Sequence, residues 1–394
     1  MHPTLTVIWL TVLPLMSFGY CHSSSPTFPF PITKSTRQND LNYTLPTFPI
    51  LPFIKYTHNP ILTPNSLNKW ESAYVYNPTA IVLNQTIFLL YRAQDQAKTS
   101  SIGLAWSTDG YTFTRYDKPI VYPTEPWELR GGTEDPRLVR INGTFYLTYT
   151  AYDLNTPQLC LATSEDLLNW TKYPPIFPGF EDTTLTDQGV KVSRVNHTKS
   201  GAIITEPTSD GLYHMYFGDS VFYHATSTDL LTWTPDPKPF AKPIHPWEDG
   251  LIEPGPAPVK TRDGKWLLIY NAMTTGTDEY RATQYSVGQM LLDPETLSST
   301  NSMRPHWNDK QRHSPQIPLS PQKIHPRLEN PDLVFQRPLA RLETPFLTPT
   351  TKEEEHGQVD LVVFAEGLVQ FRGKWFLYYG QADQTVGVAV AHVE

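Results

Sequence analysis

The stretch Leu104-Ala-Trp-Ser-Thr-Asp-Gly-Tyr-Thr-Phe-Thr114 decides the fold, because the chain contains it in three versions. The other two are Leu161-Ala-Thr-Ser-Glu-Asp-Leu-Leu-Asn-Trp-Thr171 and His224-Ala-Thr-Ser-Thr-Asp-Leu-Leu-Thr-Trp-Thr234. In each version a short strand ends in Ser-x-Asp, and a turn, an aromatic residue and Thr follow. The three serines are 57 and 63 residues apart. A period of about 60 residues, built from four short strands, is typical of a β-propeller blade.

The rest of the chain has room for five such blades between about residue 60 and residue 394. The closing strand Val386-Gly-Val-Ala-Val390 resembles the strand that opens each repeat. Runs of β-branched and aromatic residues alternate with turn signals such as Asn142-Gly143, and no segment has a convincing helical period. The sequence therefore predicts an all-β protein, a five-bladed β-propeller. The Ser-x-Asp pairs are interpreted as turn caps, in which the Asp side chain binds turn amides.

The composition agrees with this class and excludes others. Proline accounts for 38 of 394 residues, which argues against long helices, and aromatic residues make up 12%, which argues against disorder. The formal net charge of −8 gives no electrostatic reason to expect nucleic acid as a partner.

The N-terminus has the features of a secreted protein. Residues 4–18 are uncharged and mostly apolar, but short for a membrane span, so we predict a signal peptide over residues 1–21, with a membrane anchor as the alternative. After cleavage no membrane association is expected. Five Asn-x-Thr sequons agree with secretion and N-glycosylation. They begin at Asn42, Asn84, Asn142, Asn169 and Asn196.

Two Pro-rich segments divide the chain. Residues 22–60 are predicted to be a linker or stalk lying on the folded body, and residues 61–394 the propeller, with an inserted surface loop at about 298–337. The two cysteines, Cys21 and Cys160, give no disulfide framework, and Cys160 is predicted to be a buried strand residue. No metal site and no cofactor is predicted.

Three acidic motifs interrupt the strand pattern. In Gly131-Gly-Thr-Glu-Asp-Pro-Arg-Leu138 two acids precede a proline and an arginine. Glu253 and Glu366 each stand alone in apolar or Pro/Gly-rich surroundings, where a buried carboxylate needs a partner. Salt bridges within the fold are the alternative interpretation of all three. Carboxylates converging in one channel would suit glycoside hydrolysis, in which one acid protonates the leaving oxygen and another activates water.

The ordered series of motifs resembles glycoside hydrolase family 130. That family holds β-mannoside phosphorylases and β-mannosidases on a five-bladed propeller. The resemblance runs from about Asn77 to the C-terminus, with a gap at 300–337 and a weak match at 180–200. It is carried, besides the Ser-x-Asp repeats, by Gly132-Thr-Glu-Asp-Pro-Arg137, Tyr149-Thr-Ala-Tyr152, Glu253-Pro-Gly-Pro-Ala-Pro258 and Phe376-Leu-Tyr-Tyr-Gly-Gln-Ala-Asp383.

The resemblance implies a role for several residues. Asp135 matches the family's catalytic acid, which is thought to act through a proton relay over a sugar hydroxyl. The other matches concern binding: Asn77, Arg92 and Asp383 to the sugar in the −1 subsite, Arg137 near the anion or sugar, and Lys260 to phosphate in phosphorylases.

Departures from the family's phosphorylases favour hydrolysis. Tyr270-Asn-Ala272 stands where they tend to carry Tyr-His-Gly, and their Asn-Arg pair has no clear counterpart around residues 187–194. Glu253 and Glu366 stand where phosphorylase-like members lack acids, and carboxylates repel phosphate whereas they can deprotonate water.

We therefore predict a secreted, inverting hydrolase of β-linked mannosides, with Asp135 as the acid and Glu366 or Glu253 as the base. Its partner would be an oligosaccharide or glycan substrate. The alternatives are a β-mannoside phosphorylase that releases mannose 1-phosphate, a non-catalytic glycan-binding propeller, and a five-bladed glycosidase acting on arabinose or fructose.

Overall fold

A computed structural model describes residues 27–185, 191–297 and 338–394. The predicted signal peptide at 1–21, Cys21 and the predicted loop at 298–337 lie outside the described residues. The described part of the chain is mostly β-sheet with few helices, which confirms the all-β class. Its strands are β1 Ile54–Lys55, β2 Tyr74–Leu83, β3 Thr86–Gln94, β4 Ser100–Ser107, β5 Thr114–Arg115, β6 Gly132–Ile141, β7 Thr144–Tyr152, β8 Pro157–Ser164, β9 Thr171–Lys172, β10 Glu181–Leu185, β11 Lys191–Val195, β12 Ala202–Ile203, β13 Tyr213–Phe217, β14 Phe222–Ser227, β15 Thr234–Ala241, β16 Leu251–Pro254, β17 Val259–Lys260, β18 Trp266–Met273, β19 Tyr285–Leu292, β20 Ala340–Arg341, β21 Val363–Phe371, β22 Lys374–Gln381 and β23 Thr385–His392.

The helices in these ranges are short. Four are single 3₁₀ turns, and the α-helix α1 spans Lys352–Glu355. None of them has the length and apolar character needed to cross a membrane. The 3₁₀ turns are Lys69–Glu71, Pro126–Glu128, Pro246–Glu248 and Pro294–Leu297.

The strands are arranged as antiparallel meanders. Strands β12 to β15 form one sheet, β16 to β20 a second, and β21 to β23 a third that β1 joins at its edge. The largest sheet, β2 to β9, consists of two meanders connected by one parallel bridge between Ser100 and Gly132. A separate hairpin is formed by β10 and β11. Strands β2, β6 and β21, each the first of its meander, contact one another.

All three of these first strands carry a β-bulge, where the pairing with the second strand of the meander shifts. The pairing register shifts between Tyr76 and Pro78 in β2, between Glu134 and Arg137 in β6, and between Ala365 and Gly367 in β21. A bulge tolerates a proline, which has no N–H for the ladder, and it re-aims a side chain. Because β2 and β6 begin before Pro78 and Pro136, the polar residues Asn77 and Asp135 that precede these prolines lie inside the strands.

The Ser-x-Asp repeats are turn caps, as predicted. The Ser107 hydroxyl accepts a hydrogen bond from the Gly110 amide at 2.9 Å, and Asp109 Oδ1 accepts from the Tyr111 and Thr112 amides, both at 2.8 Å. Ser164 and Asp166 in the second repeat, and Ser227 and Asp229 in the third, accept the corresponding hydrogen bonds. Cys160 is a fully buried residue of β8, which confirms its predicted place.

The N-terminal segment is part of the packed body. The Phe28 ring lies 5.7 Å from the Phe88 ring, and the Arg140 guanidinium donates to the Thr36 carbonyl at 2.6 Å. Strand β1 pairs with β23 and completes the last sheet. Residues of this segment thus supply a strand and contacts to the folded body on which it was predicted to lie, and the boundary at residue 60 stays a prediction.

Candidate active site

A cavity of about 140 Å³ lies beside the bulged first strands. It holds Asn77, Arg92, Asp135, Glu253 and Asp383, all of which the sequence nominates. Glu366, Arg137 and Lys260 do not line it. The other lining residues, which the sequence does not nominate, are Lys199, Tyr285, Val359, Val362 and Phe364.

Asp135 is the most strongly held carboxylate of the cavity. The bulge places it at φ +49°, and its side chain is buried. Its Oδ1 accepts hydrogen bonds from Asn77 Nδ2 at 2.9 Å and from Arg92 Nη1 at 3.0 Å, while Oδ2 lies 3.9 Å from Lys199 Nζ. Burial alone would raise the pKa of Asp135, but Arg92, Lys199 and the Asn77 hydrogen bond outweigh it and hold this pKa well below its usual range. Asp135 is therefore ionised at neutral pH in the ligand-free site.

Glu253 is the second carboxylate that lies near Lys199, besides Asp135. Its Oε1 accepts a hydrogen bond from the Ser200 hydroxyl and lies 3.8 Å from Lys199 Nζ and 3.9 Å from Arg137 Nη2. Burial raises the pKa of Glu253, and Lys199 followed by Arg137 opposes that rise without cancelling it. Because Asp135 Oδ2 and Glu253 Oε1 both lie within 3.9 Å of one nitrogen, they are less than about 8 Å apart, compatible with the roughly 6.5–9.5 Å of inverting glycosidases.

Asp383 carries a proton close to neutral pH. Burial raises its pKa to about 7, with Arg92 opposing the rise and Asp135 adding to it. It is the middle residue of the β22–β23 turn, at φ +52°, and it lines the cavity together with Asn77 and Asp135 of the bulged strands. The cavity thus contains one carboxyl that is firmly ionised and one that titrates near neutrality, an arrangement found where a site performs acid–base chemistry.

Arg137 supports the site from behind. Its guanidinium donates to the carbonyls of Pro254, Gly255 and Asp135, at 2.6 to 3.1 Å, and so fixes two of the chain segments that line the cavity. Its Nη2 also lies 3.1 Å from Glu366 Oε1.

Glu366 is completely buried and faces Arg137, and neither of its oxygens accepts a hydrogen bond from a described residue. Burial raises the pKa of Glu366 well above its usual range, and Arg137 counters this only in part. The structure thus places Glu366 outside the lining of the cavity, against Arg137, in surroundings that favour its protonated form.

Lys260 is not part of this cavity. It forms an ion pair with Glu206, and its ammonium lies 5.9 Å from the centre of the Trp266 ring, where both residues line a separate cavity of about 210 Å³. The phosphate-binding position suggested for Lys260 by the resemblance is therefore not supported by its location.

Lys199, in contrast, lines the cavity but is not nominated by the sequence, because it stands in the region around 180–200 where the match to the family is weak. One signal was present: Lys199-Ser-Gly201 directly precedes the apolar strand β12.

The lining of the cavity includes apolar side chains besides the charged ones. Val359, Val362 and Phe364 line it, and the Tyr285 ring lies 6.1 Å from the Phe364 ring. A sugar ring has apolar C–H faces and a polar edge, so a cavity with both kinds of lining suits it. The described residues contain no group of three or more His, Cys, Asp or Glu side chains placed to hold a metal ion.

Comparison with known proteins assigns the chain to a family. Residues 45–306 and 331–394 match the family model for glycoside hydrolase family 130, described as beta-1,4-mannooligosaccharide phosphorylase. This chain therefore belongs to glycoside hydrolase family 130. A curated relative, the 1,2-beta-oligomannan phosphorylase of Thermoanaerobacter sp. (strain X514), is 31% identical over 351 residues, which cover 86% of this chain and 97% of the relative.

Solved structures show the same relationship. A glycosyl hydrolase from Bacteroides ovatus is 30% identical with a TM-score of 0.70, covering 89% of this chain and 99% of that one. A second structure, also 30% identical with a TM-score of 0.70, covers 91% of this chain and 99% of that one. It is described with the statement that the GH130 family of mannoside phosphorylases contains glycoside hydrolases that target beta-1,2 mannosidic linkages in Candida mannan.

Proposed function

We propose that this protein is a five-bladed β-propeller enzyme that cleaves β-mannosidic linkages of oligosaccharides with inversion, and that water is the acceptor. The five meanders of the fold and the mutual contacts of β2, β6 and β21 support the blade count. The family's named members support a β-mannoside as the substrate. The choice of water rests on the charges of the cavity.

Those charges leave little room for a phosphate dianion. Arg92 is paired with Asp135 and Glu134, and Lys199 lies between Asp135 and Glu253. Each cation that lines the cavity, among the residues described, thus faces two carboxylates already. Phosphate would have to displace them and approach like charges, whereas neutral water meets neither cost.

The roles follow from the same geometry. Glu253 lines the cavity and Glu366 does not, so Glu253 is the base that takes a proton from water. Asp135 is the acid, and it must be protonated before it can donate. Asp383, with its pKa of about 7, is the cavity group suited to supply that proton when a sugar hydroxyl lies between them. Asn77 and Arg92 orient Asp135 and the sugar.

Phosphorolysis is the second candidate, because the curated relatives are named as phosphorylases. The 31% identical relative is a 1,2-beta-oligomannan phosphorylase, and a further one, 28% identical over 361 residues, is a beta-1,2-mannobiose phosphorylase. In that case Arg92 or Lys199 would exchange a carboxylate partner for phosphate.

Product analysis with and without phosphate distinguishes the two reactions. The protein is incubated with β-1,2- and β-1,4-mannobiose in phosphate-free buffer and in phosphate, and early products are followed by ¹H NMR. We expect mannose in the α-configuration in both buffers. Mannose 1-phosphate formed only with phosphate would establish the phosphorylase instead, and no cleavage in either buffer would refute both.

Secretion and N-glycosylation belong to the same proposal. Asn42, Asn84, Asn142 and Asn169 are exposed, which supports glycan attachment there. Asn196 is half-buried, and its Oδ1 accepts a hydrogen bond from the Gly179 amide at 2.6 Å. Expression of the full chain in a eukaryotic host, with glycopeptide mass spectrometry of the medium, tests it. Retention of an unglycosylated chain inside the cell would count against it.

A further inference from the structure

Lys199 occupies a position between the two proposed catalytic carboxylates. Its Nζ lies 3.9 Å from Asp135 Oδ2 and 3.8 Å from Glu253 Oε1, nearly equal distances that exceed a direct hydrogen bond. The side chain is only 22% exposed. An ammonium group held in this way attracts both carboxylates while leaving space beside each for a small polar group.

The backbone holds Lys199 in this place. Its carbonyl accepts a hydrogen bond from the Gly218 amide at 2.9 Å. Ser200 adopts the left-handed conformation at φ +59°, and its hydroxyl donates to the same Oε1 of Glu253 that faces Lys199. A Cβ on the following Gly201 would come within 2.8 Å of Met215 Sδ, so the turn fits tightly against β13. Two consecutive side chains therefore act on one oxygen of Glu253.

The charges around Glu253 identify Lys199 as its main cation. Burial raises the pKa of Glu253, and Lys199 opposes this more than Arg137 does. Asp219 acts in the other direction and disfavours a further negative charge on Glu253. Without Lys199, Glu253 would be a buried carboxyl with Arg137 at 3.9 Å as its remaining cation and Asp219 opposing its charge, and it would hold its proton to higher pH.

We propose that Lys199 is a positioning residue: it keeps Glu253 charged, with Oε1 engaged, so that Oε2 is the oxygen that accepts the proton of the attacking water. This inference rests on the proposed function, because it assigns Lys199 a task in the same reaction. It also explains why a site that activates water keeps a cation in its centre: the cation serves the base and is not free to bind an anion.

The test is the pH dependence of kcat/KM for Lys199→Met and Lys199→Arg, with Lys34→Met as a control in an exposed ion pair outside the cavity. An opposite charge within about 4–6 Å lowers a carboxyl pKa by about 1–3 units. We therefore expect Lys199→Met to move the acidic limb of the profile upward by about one unit or more. Lys199→Arg should keep the limb near its original position, and Lys34→Met should leave the whole profile unchanged.

An unchanged acidic limb in Lys199→Met, with a uniform loss of rate, would overturn the proposal and leave Lys199 a purely structural residue. A direct titration separates this outcome from failure of the proposed function. In protein labelled with ¹³C at glutamate carboxyls, the Glu253 signal is assigned by its loss in Glu253→Gln. It should titrate at higher pH in Lys199→Met even if no mannoside is cleaved. Equal titration in both proteins would refute the role of Lys199.

Discussion

At the scale of single residues, two glutamates with similar sequence surroundings have different environments. Glu253 lines the cavity, accepts from Ser200 and faces Lys199, whereas Glu366 is wholly buried against Arg137. Sequence offers both as bases, since each interrupts an apolar stretch. The two are distinguished only by their places in the fold: Glu253 stands near the end of β16 and lines the cavity, whereas Glu366 stands at the bulge of β21 and does not.

Identical substitutions test this difference. Glu253→Gln keeps the size of the side chain but removes the proposed base, so we expect kcat to fall by about 10²- to 10⁴-fold. Glu366→Gln replaces the carboxyl that faces Arg137 outside the cavity, and its loss of kcat should remain below that range. Steady-state kinetics of both variants, with circular dichroism to verify folding, provide the comparison. A reversed order of effects would assign the base to Glu366.

At the scale of structural elements, four of the five meanders share a buried Glu–Tyr–cation cluster. A glutamate, fully buried in each case, accepts a hydrogen bond from the hydroxyl of a tyrosine in the middle strand and pairs with an Arg or Lys. Such a cluster ties a turn or short helix to its sheet, because a buried carboxylate is stable only with partners. The clusters are Glu71–Tyr91–Arg115, Glu128–Tyr149–Lys172, Glu248–Tyr270–Arg341 and Glu354–Tyr379–Lys55.

The remaining meander provides a natural control. Tyr216 in β13 pairs with His224 as Tyr149 pairs with Cys160, but its buried hydroxyl has no partner among the described residues. Tyr149→Phe removes a 2.7 Å hydrogen bond to the buried Glu128 and should lower the free energy of unfolding by about 1–3 kcal/mol. Tyr216→Phe should be neutral or slightly stabilising. Urea denaturation of both variants measures this; equal losses would contradict the proposed role of the clusters.

At the scale of the whole molecule, the sequence predicts the repeat and the all-β class, because both follow from strand and turn patterns near in sequence. It also nominates Asn77, Asp135 and Asp383, whose motifs lie on first strands or at turns. It does not place Lys199, because the importance of this lysine depends on Glu253, which is distant in the chain. Lys260, which the resemblance matches to a phosphate-binding lysine, lines the other cavity, and its role stays a prediction.

The N-terminal segment contributes a strand to the last sheet. Strand β1 supplies the outer strand of the last sheet, and Lys55 within it donates to Thr348 O at 2.6 Å and pairs with Glu354 at 2.5 Å. Glu354 is fully buried, so Lys55→Met would leave its charge with only neutral partners. The pair Lys34–Glu165, in contrast, lies 3.2 Å apart with both side chains about two-thirds exposed.

We therefore expect Lys55→Met to lower the free energy of unfolding by up to about 3–5 kcal/mol, the cost of leaving a buried charge unpaired. Lys34→Met, the same substitution in the same segment, should cost at most about 1 kcal/mol, because water screens an exposed pair. Denaturation midpoints of both variants, measured with tryptophan fluorescence, make the comparison. If Lys55→Met proved as mild as Lys34→Met, β1 would pair with the last sheet without stabilising it. The N-terminal segment would then cover the folded domain and not be part of it.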